Sequence, residues 1–282
     1  MDSGDAISIQ VLGDLKNIDR AAWDALANPS NLPFDPFLSW DFLQALEESG
    51  CATAAKGWQP AHLIARDAHG APVGAMPLYA KDHSYGEYVF DHAWADALMR
   101  SGGQYYPKLQ CAVPFTPVPG RRIFASDPRV ESALAQGAIG LAQRAGASSV
   151  HATFADEALC AHLKPLGYLK RTGIQYHWFN RGYGSFDDFL ADLSSQKRKT
   201  LRRERARASE GLTIKRLRGD EITSRDWDFF FRCYQDTGSR KWGSPYLNRK
   251  FFQLLGERMG EQCVLFLAEE DGHPLACALN LL

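Results

Sequence analysis

The chain has 282 residues, a length that holds about two domains. Hydrophobic residues make up 45% and charged residues 23%, ordinary globular usage that excludes wholesale disorder. The formal net charge of -1 excludes a polyanion binder acting by bulk charge, so any nucleic-acid contact has to come from a local basic patch.

The start, Met1 to Asp5, is acidic and lacks the basic and apolar regions of a secretory signal. No stretch approaches the ~20 apolar residues that a membrane helix requires. The cysteines, Cys51, Cys111, Cys160, Cys233, Cys263 and Cys277, have no C-x-x-C spacing. They are expected to be reduced and mostly buried, in a cytoplasmic protein without a metal.

Ile7 to Leu12 reads as a strand, and Trp23-Asp24 falls early in a short helix. Phe37 to Leu46 has helical spacing with an apolar face. From Leu63 the pattern is strand, tight turn at Gly70-Ala71-Pro72, strand, with the glycine making the turn and the proline opening the next strand. Lys108 to Val113 is a strand, and Pro114 to Ser126 a proline-rich loop carrying Gly120-Arg121-Arg122. Asp127-Pro128 supplies an N-cap and a first-turn proline for a helix over 129–145, with Val130, Leu134, Ala138, Leu141 and Ala145 on one stripe. A strand from Ser148 to Phe154, a helix from Asp156 to Leu166 and a strand pair from Gly167 to Phe179 follow.

A second run then repeats the first. Leu212 to Leu217 is a strand, Trp227-Asp228 opens a helix, and Tyr246 to Leu255 matches Phe37 to Leu46. Leu265 to Cys277 matches Leu63 to Ala75, with Gly272-His273-Pro274 standing for Gly70-Ala71-Pro72. Shared order and nearly constant separation point to duplication. The expected organisation is a complete unit over 1–182, a basic helical junction over 183–211, and the first half of a second unit over 212–282. That half is expected to be truncated, with an unpaired sheet edge at 275–282.

The element order resembles the GNAT acyltransferase fold, and Phe154 to Tyr168 looks like its late strand–helix–"LGF" segment. Two such units in tandem resemble the Fem aminoacyltransferases. The nearer resemblance is to bacterial FemAB-like proteins of the peptidoglycan biosynthesis/recognition group, carried by Tyr105 to Arg122, Gln196 to Arg205 and Lys241 to Phe252. It implies an α/β (α+β) fold of tandem units with mixed, mostly antiparallel sheet flanked by helices. It also implies an N-acyltransferase, with acyl-CoA or aminoacyl-tRNA as donor.

Three stretches are candidate sites. Gly120, Arg121 and Arg122 stand where GNAT enzymes hold the acyl-CoA pyrophosphate on backbone N–H groups at a helix start. The prolines at 114, 117 and 119 remove donors there, and the other reading is a rigid loop. The helix from Ser195 to Ala208 carries seven cations, and Arg198, Arg202 and Arg205 make one stripe. The resemblance makes it a site for a phosphorylated acceptor or tRNA; otherwise it is a solvated interdomain helix. The run from Glu87 to Trp94, with Asp91 and His92, joins Tyr105 and Tyr106 as candidate groups for removing an amine proton and protonating a leaving group. An Asp-His pair between aromatics can equally be structural.

The leading expectation is transfer of an acyl or aminoacyl group to an amine of a small molecule or cell-wall precursor, with tRNA as a candidate partner and no membrane insertion. The alternative is a non-catalytic module that grips an anion or RNA.

Overall fold

The computed structural model describes residues 6–240 and 244–282. The acidic start at residues 1–5 and the Lys241-Trp242-Gly243 stretch of the third family-like motif lie outside the described residues.

Local sequence signals place the early elements. After β1 (Ser8–Leu12), Asp19 caps α1 (Arg20–Ala27) by accepting the Ala22 N–H at 3.1 Å, and Ser39 caps α2 (Trp40–Glu48) by accepting that of Phe42. Four strands follow: β2 (Gln59–Pro60), β3 (His62–Arg66), β4 (Pro72–Met76) and β5 (Leu78–Lys81). Next come α3 (His92–Arg100), β6 (Lys108–Cys111), β7 (Phe124–Ala125), α4 (Pro128–Ala145), β8 (Val150–Ala152) and α5 (Glu157–Leu163). These strands form two sheets, ordered β1-β3-β4-β7 and β2-β5-β6-β8, antiparallel except for the β6–β8 pair.

Proline at 77 breaks β4 from β5, and the two sheets meet at that break. There the Leu78 N–H donates to His62 Nδ1 at 3.2 Å, so the ring hydrogen sits on Nε2, which faces Glu47 Oε1 at 2.7 Å. The other Glu47 oxygen accepts the Leu15 N–H at 2.9 Å. A buried carboxylate–imidazole pair thus satisfies backbone donors that the divided ladder leaves over. Helix α4 packs close to the first sheet because Gly74 has no side chain: a Cβ there would come within 2.5 Å of Val130 Cγ1.

The chain continues through α6 (Phe186–Ala191), α7 (Ser195–Ala208), β9 (Thr213–Arg218), α8 (Ser224–Ser239), α9 (Arg249–Met259), β10 (Cys263–Glu270) and β11 (His273–Leu281). The last three strands form a third sheet ordered β11-β10-β9, with β11 at an edge. The order β9, α8, α9, β10, β11 parallels β1, α1, α2, β3, β4, and each strand set pairs antiparallel in the same sequence. Both hairpins also carry the same irregularity, since their registers skip Val73 and Leu275, each just after the proline.

The equivalent helices α2 and α9 meet face to face. Phe42 and Phe251 stack edge-on at 5.7 Å, Asn248 Nδ2 donates to Ser49 O at 2.7 Å, and Lys250 Nζ donates to Glu48 O at 2.9 Å. One apolar core therefore runs from Trp23 and Leu46 through Phe251 to Leu265, and a second lies between α4 and the sheets.

The fold class agrees with expectation: an α+β chain with mostly antiparallel sheets. One expected feature is absent, the strand pair from Gly167 to Phe179. Residues 168–180 form no sheet pairing, and beyond Tyr168, which packs against the second core, their large apolar side chains are exposed, Leu169 at 95% and Tyr176 at 96%. Apolar composition favours an extended chain, but a strand also needs a neighbour to pair with, and among the described residues β8 pairs only with β6.

Because Phe251 touches the helices of both halves, Phe251→Ala is expected to cost about 3–5 kcal/mol. Urea unfolding followed by tryptophan fluorescence and by circular dichroism should show both signals moving together.

Candidate active site

Sheet register sets the site. Lys81 on β5 lies opposite Lys108 on β6, Tyr79 lies opposite Gln110, and Gln110 lies opposite His151 on β8. Side chains alternate along a strand, so these residues share one face. The alternate residues, among them Leu78, Leu109 and Cys111, join the core against α4. The sheet thus sets two lysines side by side, both with 0% exposure. Buried ammonium groups need counter-charges.

The counter-charges come from the segment between β5 and α3. Lys108 Nζ donates to Ser84 Oγ at 2.8 Å, to Glu87 Oε2 at 2.7 Å and to Asp91 Oδ2 at 2.7 Å. Lys81 Nζ stands 4.0 Å from Glu87 Oε1, donates to Tyr85 O at 3.3 Å, and lies 3.6 Å from the centre of the Trp58 ring. Tyr105 donates its hydroxyl hydrogen to Asp91 Oδ2 at 2.7 Å, while the Tyr106 hydroxyl bonds Ser84 Oγ at 2.8 Å. Glu87 Oε1, Asp91 Oδ1 and Gln110 Oε1 are buried without a hydrogen-bond partner.

The covering segment is held in an uncommon backbone shape. Gly86, Tyr88 and Phe90 have φ of 80°, 58° and 51°, and for the two aromatics this costs about 1–3 kcal/mol each. Glycine is required at 86 for a second reason, because a Cβ there would come within 2.5 Å of the Phe115 ring. Phe115 in turn stacks on Tyr246 at 5.0 Å, bringing the later half of the chain to the rim of the cluster.

Burial lowers Lys81 to about 7, with Lys108 adding to the fall and Glu87 opposing it. Burial raises Glu87 above the usual carboxylate value, although Lys108 pulls the other way. Burial also pulls Asp91 upward, but hydrogen bonds from Lys108, Ser84 and Tyr105 outweigh it and hold the carboxyl well below its ordinary range. Burial and the bond to Asp91 push the Tyr105 phenol up, and burial beside Lys108 lowers His151 to about 4. At neutral pH the cluster therefore holds an ionised Asp91, a protonated Tyr105 and an uncharged His151.

Of the residues expected to act, the structure brings together Asp91, Tyr105 and Tyr106. His92 stands apart: it is the first residue of α3, exposed, with its ring 6.1 Å from Tyr85. Lys81, Ser84 and Lys108 were missed. The available signal was a lysine at the end of each of two short strands with no other charge, Leu78-Tyr-Ala-Lys81 and Lys108-Leu-Gln-Cys111.

The Gly120 loop is arranged differently from a phosphate cradle. The Gly120 N–H donates to Phe154 O at 3.1 Å. Arg122, 1% exposed, donates to Thr153 O at 2.7 Å, Arg121 O at 3.0 Å and Val118 O at 2.5 Å. Arg121 donates to Leu26 O and Ala27 O at the C-terminal end of α1. Main-chain carbonyls thus occupy these donors.

The arginine stripe of α7 lies along α6 and the turn after it, with Arg202 and Arg205 still exposed. Arg198 donates to Leu193 O at 3.1 Å, Arg202 pairs with Asp187 at 3.0 Å, and Arg205 lies 4.0 Å above the Phe186 ring. Lys197, Lys199, Arg203 and Arg207 are exposed. Among the described residues no group of three or more His, Cys, Asp and Glu side chains is placed to hold a metal ion, and no helix is long and apolar enough to cross a membrane.

Residues 14–282 match the model of a family described as FemAB-like, peptidoglycan biosynthesis/recognition. The chain belongs to the FemAB-like family. Membership ties it to peptidoglycan-related transfer chemistry. Comparison with curated proteins finds no match.

Lys108→Met would leave Glu87 and Asp91 buried without their cation, and is expected to destabilise the fold by about 3–5 kcal/mol in urea titrations.

Proposed function

We propose that the protein is an N-acyltransferase that moves an acyl or aminoacyl group from a carrier to an amine of a cell-wall precursor, with the Lys81–Lys108 cluster as its transfer site. The observation that carries this reading is the pairing of two groups with opposite proton tasks. Tyr105, partly exposed, keeps its phenol protonated, and by turning its O–H from Asp91 to the departing oxygen or sulfur it can give up that proton as the bond to the acyl carbon breaks. Lys81, at about 7, can accept the proton that the attacking amine sheds as its nitrogen bonds to the acyl carbon. Ser84 and Tyr106 hold Lys108 and the covering segment in place around them.

Aminoacyl-tRNA fits as donor better than acyl-CoA. The Gly120 N–H and the two following guanidinium groups already serve the loop's own packing. The exposed cations of α7 suit a phosphate backbone. Those same cations favour a second reading, a non-catalytic module that binds RNA or another anion; it predicts salt-sensitive tRNA binding with no transfer. In either case we read 1–182, 183–211 and 212–282 as a GNAT-like unit, a basic junction and the first half of a related unit. The shared strand order and the matching bulges after Pro72 and Pro274 support that division.

The test is transfer of label from aminoacyl-tRNA, and separately from acyl-CoA, to a muramyl peptide carrying a free amine. Tyr105→Phe is expected to lower kcat by about 10²–10⁴-fold while keeping the natural thermal midpoint within a few degrees. The rate should rise with pH through about 7 as Lys81 loses its proton, and Lys81→Arg should remove that limb. Folding stability should follow the same group: the folded-state value of about 7 lies below the ordinary 10.5, so the natural chain gains stability as pH rises above about 7. Lys81→Met should lack that gain in pH-dependent urea titrations.

A further inference from the structure

The two copies of the repeated run differ at one carboxylate. By their matching order, Trp23-Asp24 and Ser39-Trp40-Asp41 correspond to Trp227-Asp228 and Asn248-Arg249-Lys250, and Ser39 and Asn248 both cap their helices. In the second copy Arg249 closes on Asp228 as an ion pair. In the first, tryptophan stands in the place of that arginine, and Asp24 Oδ1 accepts the Trp40 N–H at 2.7 Å. Asp24 Oδ2 makes no hydrogen bond, and Arg20 Nε stands 3.8 Å from it. Beside this open oxygen lies a cavity of about 180 Å³ between the two halves of the chain. Arg20, Asp24 and Asp41 line it from the first half, Arg258 and Gln262 from the second, and Phe34 adds an apolar wall. Two guanidinium groups and two carboxylates make the lining neutral, yet groups of both kinds are left over. Asp41 meets Arg20 through Oδ2 alone. Arg258 gives Nη2 to Glu48, and its Nη1 is buried without a partner. The Gln262 side chain has no hydrogen-bond partner among the described residues. Burial raises both Asp24 and Asp41 above the ordinary carboxylate value, so each gains from a further cation.

We propose that this cavity binds a free α-amino acid with a short side chain, its ammonium at Asp24 and Asp41 and its carboxylate at Arg258 and Gln262. Charge balance is the reason. A ligand with one sign of charge would meet repulsion from half of the lining, whereas a zwitterion satisfies both halves and brings no net charge. The chemistry matches at each end: guanidinium and carboxamide N–H groups donate to carboxylate oxygens, and the aspartates accept from an ammonium. At ~30 Å³ for each water the space holds about six waters, which limits the side chain that can lie against Phe34. A bound amino acid would tie α1 and α2 to the end of α9. The cavity shares no lining residue with the lysine cluster, so the inference does not rest on the transferase reading.

Isothermal titration of the full chain with glycine, L-alanine, L-serine and L-valine, one at a time, tests the site. At least one is expected to bind with a Kd of about 1 mM or tighter. Its amide, which lacks the anionic end, and its N-acetyl form, which lacks the cationic end, should each bind at least about tenfold more weakly. Asp24→Asn keeps an oxygen for the Trp40 N–H and should weaken binding by about tenfold or more, as should Gln262→Leu. Asp228→Asn, at the equivalent place in the second copy, should leave affinity unchanged. Failure of all four amino acids to bind overturns the proposal, as does equal affinity for the amide or the N-acetyl form. Unchanged affinity in folded Asp24→Asn or Gln262→Leu, or an equal loss in Asp228→Asn, overturns it as well.

Discussion

The ammonium of Lys108 has no access to water, and much of the first half of the chain is arranged around neutralising it. Strand alternation forces the side chain onto one face of β6, and pairing with β5 brings a second lysine alongside. The counter-charges arrive on a connecting segment that must bend sharply to deliver them. Its left-handed residues, and its need for glycine at 86, follow from that delivery. The same demand explains why aromatic side chains lie on the outside: once Ser84, Glu87 and Asp91 are turned in, their neighbours are turned out.

A second constraint holds the halves of the chain together. Helices α2 and α9 occupy equivalent places in their strand–helix–helix–hairpin runs, and each would expose an apolar face without the other. Their contact merges two partial cores into one. It also carries Tyr246 to the stack on Phe115, and Phe115 packs against Trp58, the ring beneath Lys81. The electrostatics of the lysine pair thus depend on aromatic packing that draws on both halves.

The proline-rich loop and α7 show how cations can be read two ways. In sequence, Arg121-Arg122 beside a glycine and a run of seven cations on one helix both suggest anion binding. In the fold, the loop arginines donate to main-chain carbonyls of α1, of the loop itself and of Thr153, and Arg198, Arg202 and Arg205 contact the neighbouring short helix and turn. A guanidinium group has several donors, and an otherwise unpaired carbonyl satisfies one as well as a phosphate does.

What the sequence by itself determined is what short-range physics controls. Period, caps and turn residues placed α2, α4, α7, α9 and both Gly-x-Pro hairpins, and their order pointed to the repeated run. Asp91, Tyr105 and Tyr106 were legible as titratable groups among aromatics. Tertiary structure alone decided which of them meet. Lys81 and Lys108 are 27 residues apart and become neighbours only through β-sheet register, which no local pattern encodes. His92, adjacent to Asp91 in sequence, is carried outward because the first turn of α3 points it away from the cluster. The stretch from 168 to 180 stayed unpaired for the same reason in reverse: its composition suits a strand, but a strand is completed only by a partner that the rest of the fold must supply.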